Sequence, residues 1–475
     1  MEIKQRRNSR VAPLTVIFVY LCIVLLTPFK VFNCGYLPAD DALGRAAKII
    51  SGKDWKDILV LRENVQAEVH PGWNAILIAF HCLTNCNIDG LIVFSVVGLF
   101  VLFFLVPLIF LKRPEAWLLA MLIGIMVEPV FLTRMLNGRP LMVTISALIF
   151  LLFAWDKFKS KPSWRLYLSI TLAIAAATWI HSSWYLFTLV IACLLIGRKW
   201  QAALRLSVCF FAGVLLGALC TGHPAAFIFG VVQHGADVFK GSVGNFALVK
   251  ELQAGAGNPL APVAVAIMLG WRALRNQWDK ACLNNPVFIL AVLGWILGFA
   301  VVRFWYDWGL PALLVWLAQE LEPVLEDKLA YLSPRRILVT TLAAMTLFLA
   351  VSGDANNRWS FNTTKTYAQN KQWLPDPGGI LYSIDMRIFY NTFYNHPDGQ
   401  WRYILGFEST MMPPEDLETY RNILRLNNAA AYGPWVKKMT PLDRLVILSQ
   451  SGTPPQISGL EWYNLADLWV GRKRL

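Results

Sequence analysis

Charge is what this sequence has least of. Asp, Glu, Lys and Arg make up 15% of its 475 residues against 56% hydrophobic ones, and the mean hydropathy is +0.48, a balance that excludes an ordinary water-soluble protein. No GxxxxGK[ST] loop occurs, so nothing points to nucleotide hydrolysis. No CxxC element occurs either, and none of the eight cysteines lies beyond Cys282, which argues against a cysteine zinc site. Internal repeats and low-complexity tracts are also missing. Acidic residues are in the minority, giving a net charge of +13. The excess basic residues sit in short stretches between apolar runs, the positive-inside pattern of a membrane protein, and do not indicate a nucleic-acid partner.

What is present is a series of apolar runs with basic ends. Lys4, Arg6, Arg7 and Arg10 precede the first run, Val11 to Phe32, and direct it from cytoplasm to exterior. It has no small-residue cleavage site, so it is expected to stay as an anchor. Ten more runs follow, at 88–111, 115–131, 141–155, 166–180, 185–196, 206–221, 259–274, 286–302, 309–324 and 337–352. Lys112-Arg113, Lys157 to Lys161, Arg198-Lys199, Arg275 with Lys280, and Arg335-Arg336 mark alternate ends. Eleven spans are therefore expected, without pseudo-symmetric halves or broken helices. The loop 33–87 is exterior. Within it Asp41–Lys56 places Leu43, Ala46, Ala47, Ile49 and Ile50 near one face, as in a helix lying on the membrane. The segment Trp73–Leu83 is too short to cross. After residue 353, Asn, Pro, Asp, Tyr and Trp become frequent and no spanning run remains. The expected fold class is a polytopic α-helical membrane module over 1–352 with a soluble α+β exterior domain over 353–475.

On this topology the unusual polar residues share one side. Asp40, Asp41, Arg45, His70, Arg134, Arg139, His181, His223, His234, Arg303 and Asp307 lie at exterior span ends or in exterior loops. Ionisable groups near membrane depth are costly unless partnered or wetted, so their one-sidedness indicates a cavity open to the exterior. Its components suit sugar transfer from a lipid-linked phosphate. Asp40 or Asp41 would take the proton of an attacking hydroxyl. Arg139, Arg134 and Arg45 would hold the leaving phosphate. Trp184, Trp305, Tyr306 and Trp308 would pack against the sugar.

The same residues resemble the GT-C superfamily of integral-membrane glycosyltransferases, which includes protein O-mannosyltransferases and lipid A aminoarabinose transferases. Asp40-Asp41 stands where that family carries an acidic pair in its first exterior loop. His70-Pro71-Gly72-Trp73 resembles the segment that closes the loop, with Gly72 in place of a second proline. Arg134 to Gly138-Arg139-Pro140 resembles a later arginine-rich turn, with Leu141 where many members have an acid. The resemblance implies a polyprenyl-phosphate sugar donor, a periplasmic acceptor and an inner-membrane location with the N-terminus cytoplasmic. Some members need a divalent metal, so magnesium or manganese stays open as a cofactor.

Each feature also has a plainer reading. Asp40 and Asp41 suit a helix N-cap, Arg139 an interfacial anchor, His70 an organiser of its loop, and the run Phe304 to Trp308 a membrane-interface belt. Glu128 before Pro129 reads as a satisfied polar contact. Cys34 and Cys86 are both placed to pair or to stay as buried thiols. Two other functions compete with the transferase: a carrier for lipid-linked saccharides, and a non-catalytic scaffold in polysaccharide assembly.

Overall fold

The structure, a computed structural model, describes residues 2–33, 38, 40–63, 65, 68, 70–158, 162–240, 253–255, 258–275, 282–329, 333–357, 373–448, 453–465 and 468–473, with side chains outside the description at 2–11, 234–240 and 353–357. Every apolar run becomes helix. In chain order the described helices used below are α1 (Glu2–Asn33), α2 (Asp41–Ser51), α3 (Pro71–Thr84), α4 (Ile88–Leu105), α5 (Pro114–Val127), α6 (Val130–Leu136), α7 (Leu141–Ala154), α8 (Trp164–His181), α9 (Thr188–Ile196), α10 (Trp200–Leu219), α11 (Pro224–Lys240), α12 (Leu260–Leu274), α13 (Pro286–Gly298), α14 (Leu310–Lys328) and α15 (Pro334–Asn357). Among the described residues five helices are long and apolar enough to cross a membrane, and six if α5 and α6 count as one bent span. The protein is thus a multi-pass membrane protein.

Helices that are apolar all round are expected in the middle of a bundle. Leu310 to Ala318 of α14 are all buried, and so is nearly all of α7. Both pack on α5 or its neighbours, where Trp117 of α5 meets Phe153 of α7 and Trp316 of α14 meets Phe288 of α13. The more exposed α1 and α15 pair with each other at the periphery.

The expected unbroken third span is in fact interrupted. α5 ends at Val127, and α6 leaves it at a bend of 118°. The cause is Pro129, which disfavours helical geometry at the residue before it; Glu128 accordingly has φ −146° and ψ 84°. Arg134, expected in a turn, therefore lies on helix α6.

The expectation that α2 lies on the membrane is also corrected. Ala42, Leu43, Ala46 and Ala47 are fully buried, and the helix packs on α4, α3 and a helix of the exterior domain, α16 (Met386–Asn395). Its apolar face is covered by protein. That domain carries β1 (Ile380–Tyr382), β2 (Arg402–Tyr403), β3 (Arg444–Leu448), β4 (Leu460–Leu465) and β5 (Leu468–Lys473), in the order β2-β1-β3-β5-β4. β1 runs parallel to β2 and β3, whereas β5 is antiparallel to β3 and β4, with Val446 opposite Val470. Trp435, Tyr382, Tyr420 and Leu445 form its own core. The first exterior loop docks on the sheet edge: Val60 N donates to Tyr403 O at 2.9 Å, and Arg62 N to Met411 O at 2.8 Å.

Candidate active site

Asp40 is the N-cap of α2. Its extended backbone (φ −155°, ψ −164°) lets Oδ1 accept from Asp41 N at 2.8 Å. The capping reading is thus correct, yet the same carboxylate does more. Arg139 Nε donates to both oxygens at 2.9 and 2.8 Å, Arg139 closes an ion pair on Oδ2 at 2.8 Å, and Asn137 Nδ2 donates to Oδ2 at 2.7 Å. Gly138 makes this convergence available. It has φ +64°, and a Cβ there would lie 2.8 Å from that of Ala42, so the turn between α6 and α7 sits directly on α2. Asp40 is 8% exposed. Burial raises its pKa above the ordinary carboxylate value, and the Arg139 guanidinium opposes part of that rise.

Around this pair the other exterior cations gather. Arg45, 3% exposed, donates to Asn74 Oδ1 at 2.9 Å and lies 3.5 Å from Glu68. His70 caps α3, and its ring stacks on that of His181 with centroids 4.7 Å apart. His181 lies within electrostatic reach of Arg303, Arg45, Arg139 and Arg134 together, and its Nδ1 is 3.3 Å from Thr144 Oγ1. Arg134 and Arg303 share the buried carboxylate of Asp307. Two cations on one carboxylate leave positive charge in excess. Arg134 also stacks over Tyr306 at 5.2 Å, and Trp305 Nε1 donates to Glu128 Oε2 at 3.3 Å.

The four arginines, two histidines, Asp40 and Asp307 expected from the sequence thus form one neighbourhood. Asp41 is half-buried, 3.5 Å from the Tyr390 hydroxyl of the exterior domain. The Trp184 ring is instead taken up by Tyr185 and Phe210, and the Trp308 indole donates to Leu186 O. His223 is exposed. The side chain of His234, and Cys34 with its pairing to Cys86, lie outside the described residues. Sequence reasoning passed over Glu68, which ties together Arg45, Lys48, Asn74 and Trp55; its place two residues before the His-Pro pair was the signal. Asn137 and Tyr390 were passed over too.

Gly72 stands between His70-Pro71 and Trp73 for a visible reason. A Cβ there would lie 2.6 Å from the Trp179 ring and 2.7 Å from Trp179 O, so α3 packs on α8 only without a side chain at this position. Gly72→Ala is expected to lower stability by about 1–3 kcal/mol and to push His70 off His181. A thermal melt of the purified variant checks this, and an unshifted midpoint removes the steric argument.

The donor set at Asp40 does not suit a divalent cation. Both its oxygens are held by Arg139 and Asn137, and a dication would approach against the neighbouring guanidiniums. Among the described residues no group of three or more His, Cys, Asp or Glu converges elsewhere.

No family model matches the sequence, and no curated protein matches it. The fold does have solved counterparts, and the likeness runs over nearly the whole chain. One counterpart is ArnT from Cupriavidus metallidurans, whose structure bound to undecaprenyl phosphate matches at TM-score 0.57 and 12% identity over 96% of this chain and 97% of that one. Its apo structure matches at TM-score 0.54 and 13% identity, over 96% of each chain.

Proposed function

We propose that the protein is a membrane glycosyltransferase that moves one sugar from a polyprenyl-phosphate donor to a periplasmic acceptor, with Asp40 as the general base. The carrying observation is the buried Asp40 carboxylate, bridged to Arg139 within a neighbourhood of arginines. The like fold of ArnT, crystallised with undecaprenyl phosphate, supports the donor class. On this reading the exterior is the periplasm of a bacterial inner membrane and the N-terminus is cytoplasmic.

In the reaction, the donor phosphate competes with Asp40 for Arg139, helped by Arg45 and the excess charge at Arg134 and Arg303. Once Arg139 turns to the phosphate, less holds Asp40 ionised and it becomes a better base. The acceptor hydroxyl gives its proton to Asp40 while its oxygen attacks the anomeric carbon opposite the phosphate. The sugar–phosphate C–O bond breaks, its electron pair leaves on the phosphate, and the anomeric configuration inverts. Asp41 holds the loop and the exterior domain in register through Tyr390.

The helix break at Glu128-Pro129 favours a second reading, since carriers build substrate sites from interrupted helices. Incubation of the purified protein with radiolabelled polyprenyl-phosphate sugars separates the two. Release or transfer of sugar is the expected result. A protein that moves labelled lipid across vesicles without cleaving any donor would be a carrier.

A further inference from the structure

Two irregular backbones meet beside the arginines. One is the α5–α6 break at Glu128. The other is a π-turn, Trp305–Gly309, between α13 and α14; such turns recur at functional sites. It fits against α13 because glycines line the contact: a Cβ on Gly298 would lie 2.8 Å from that of Trp305. Between them lies a cavity of about 320 Å³, lined by Glu128, Asn258, Trp295, Trp305 and Tyr306 with small residues between. Irregular backbone at membrane depth is tolerated where it lines a cavity.

The lining has two kinds of group. Three aromatic rings form the walls. The Glu128 carboxyl, 8% exposed, takes the Trp305 indole N–H, and no cation among the described residues pairs with it. A buried carboxyl without a counter-ion, among aromatic rings, matches the hydroxyls and C–H faces of a sugar ring better than an anionic or purely apolar ligand. Asn258 belongs to the cavity's frame and also steadies the carboxyl: its amide donates to Val127 O and to Glu128, and its oxygen accepts from Leu260 N at 2.9 Å. Tyr306 is the link, because it lines the cavity on one side and stacks under Arg134 on the other.

We infer that this cavity is the subsite for the donor's sugar ring, with the Glu128 carboxyl accepting sugar hydroxyls and Trp295, Trp305 and Tyr306 packing on the ring. The inference rests on the transferase reading for the identity of the lipid, and places the sugar beyond Tyr306 from the phosphate.

Affinity is measured for polyprenyl phosphate and for its hexosyl and pentosyl forms, in the full-length protein. Wild type is expected to prefer one sugar-bearing lipid by about tenfold or more, the scale of one hydrogen bond to a charged group. Glu128→Gln and Trp295→Ala are each expected to lose that preference while binding the sugar-free lipid within about twofold of wild type, which also shows that they fold. Equal affinity of wild type for all the lipids overturns the subsite, as does a preference kept by both variants or an equal loss of every lipid in both. If Glu128→Gln alone fails to bind any lipid, Trp295→Ala decides by the same criterion. A wild type that prefers one sugar yet cleaves no donor keeps the subsite and sinks the transferase reading; one that cleaves donor while both variants keep the preference does the reverse.

Discussion

Asp40→Asn is expected to lower turnover of the lipid donor by about 10²- to 10⁴-fold, the range of a positioned general base, without weakening donor binding. The second half of that result is the more diagnostic. Asn cannot hold the Arg139 guanidinium as the carboxylate does through both oxygens, so the variant leaves Arg139 free for the phosphate. KM for the donor should then stay level or fall, the signature of a removed ground-state competitor. Asp41→Asn is expected to cost far less, because the Asp41 carboxylate faces the Tyr390 hydroxyl, at 3.5 Å, and takes no hydrogen bond from Arg139 among the described residues. If both variants match wild type in kcat, neither aspartate is the base. The pH profile supplies an independent sign. Asp40 works ionised, so activity falls as pH drops through its pKa. Burial raises that pKa from 3.8, so the acid limb of kcat/KM lies at higher pH than an ordinary aspartate would give. Arg139 opposes the rise, and Arg139→Gln is therefore expected to move the limb further up. A limb that stays in place or moves down would contradict Asp40 as the titrating group.

The parts of this site differ in how far they can be read from the sequence. Asp40, Arg139 and Arg134 were visible as rare polar residues at one level of the membrane. Their pairing was not, because the partners are 99 and 173 residues apart and the cations were read as phosphate ligands or, for Arg139, as an interfacial anchor. The placement of α2 failed for a different reason. An apolar face at helical spacing says only that something apolar covers it, and Leu43, Ala46 and Ala47 meet α4 and the exterior domain rather than lipid. The bend after α5 did have a signal in Glu128-Pro129, outweighed by the apolar residues on either side. The π-turn at Trp305 had none, since it depends on glycines in two helices meeting. Gly72 read as a gap in a motif, and the Trp179 backbone that requires it is more than a hundred residues away.

The largest stability effect is expected at the opposite end of the bundle. Lys112-Arg113 and Arg335-Arg336 read as simple orientation signals, but Arg336 is 1% exposed and its guanidinium grips Glu115, itself fully buried. Nε donates to Glu115 Oε1 at 2.6 Å and NH2 to Oε2 at 3.2 Å, while Arg113 lies 3.5 Å from the same carboxylate. Glu322 on α14 accepts from Lys112 N and Arg113 N at 2.7 and 3.1 Å. The cluster clamps α5, α14 and α15, the frame on which the α5–α6 break and the π-turn are mounted. Glu115→Ala takes the carboxylate from the buried Arg336 and leaves its charge to neutral acceptors such as Lys112 O at 3.2 Å, a change that costs about 3–5 kcal/mol. Replacing the whole pair is gentler, since the arginine's desolvation disappears with its charge. Glu115→Ala/Arg336→Met is therefore expected to melt at a higher temperature than Glu115→Ala alone, in detergent and in lipid nanodiscs alike. A double variant that melts no higher than the single one would show that Arg336 finds compensation elsewhere and that the clamp is not a unit. Folded Glu115→Ala protein at low temperature is expected to keep the wild-type KM for the donor, because the cluster holds the frame and touches none of the groups proposed to hold the lipid phosphate.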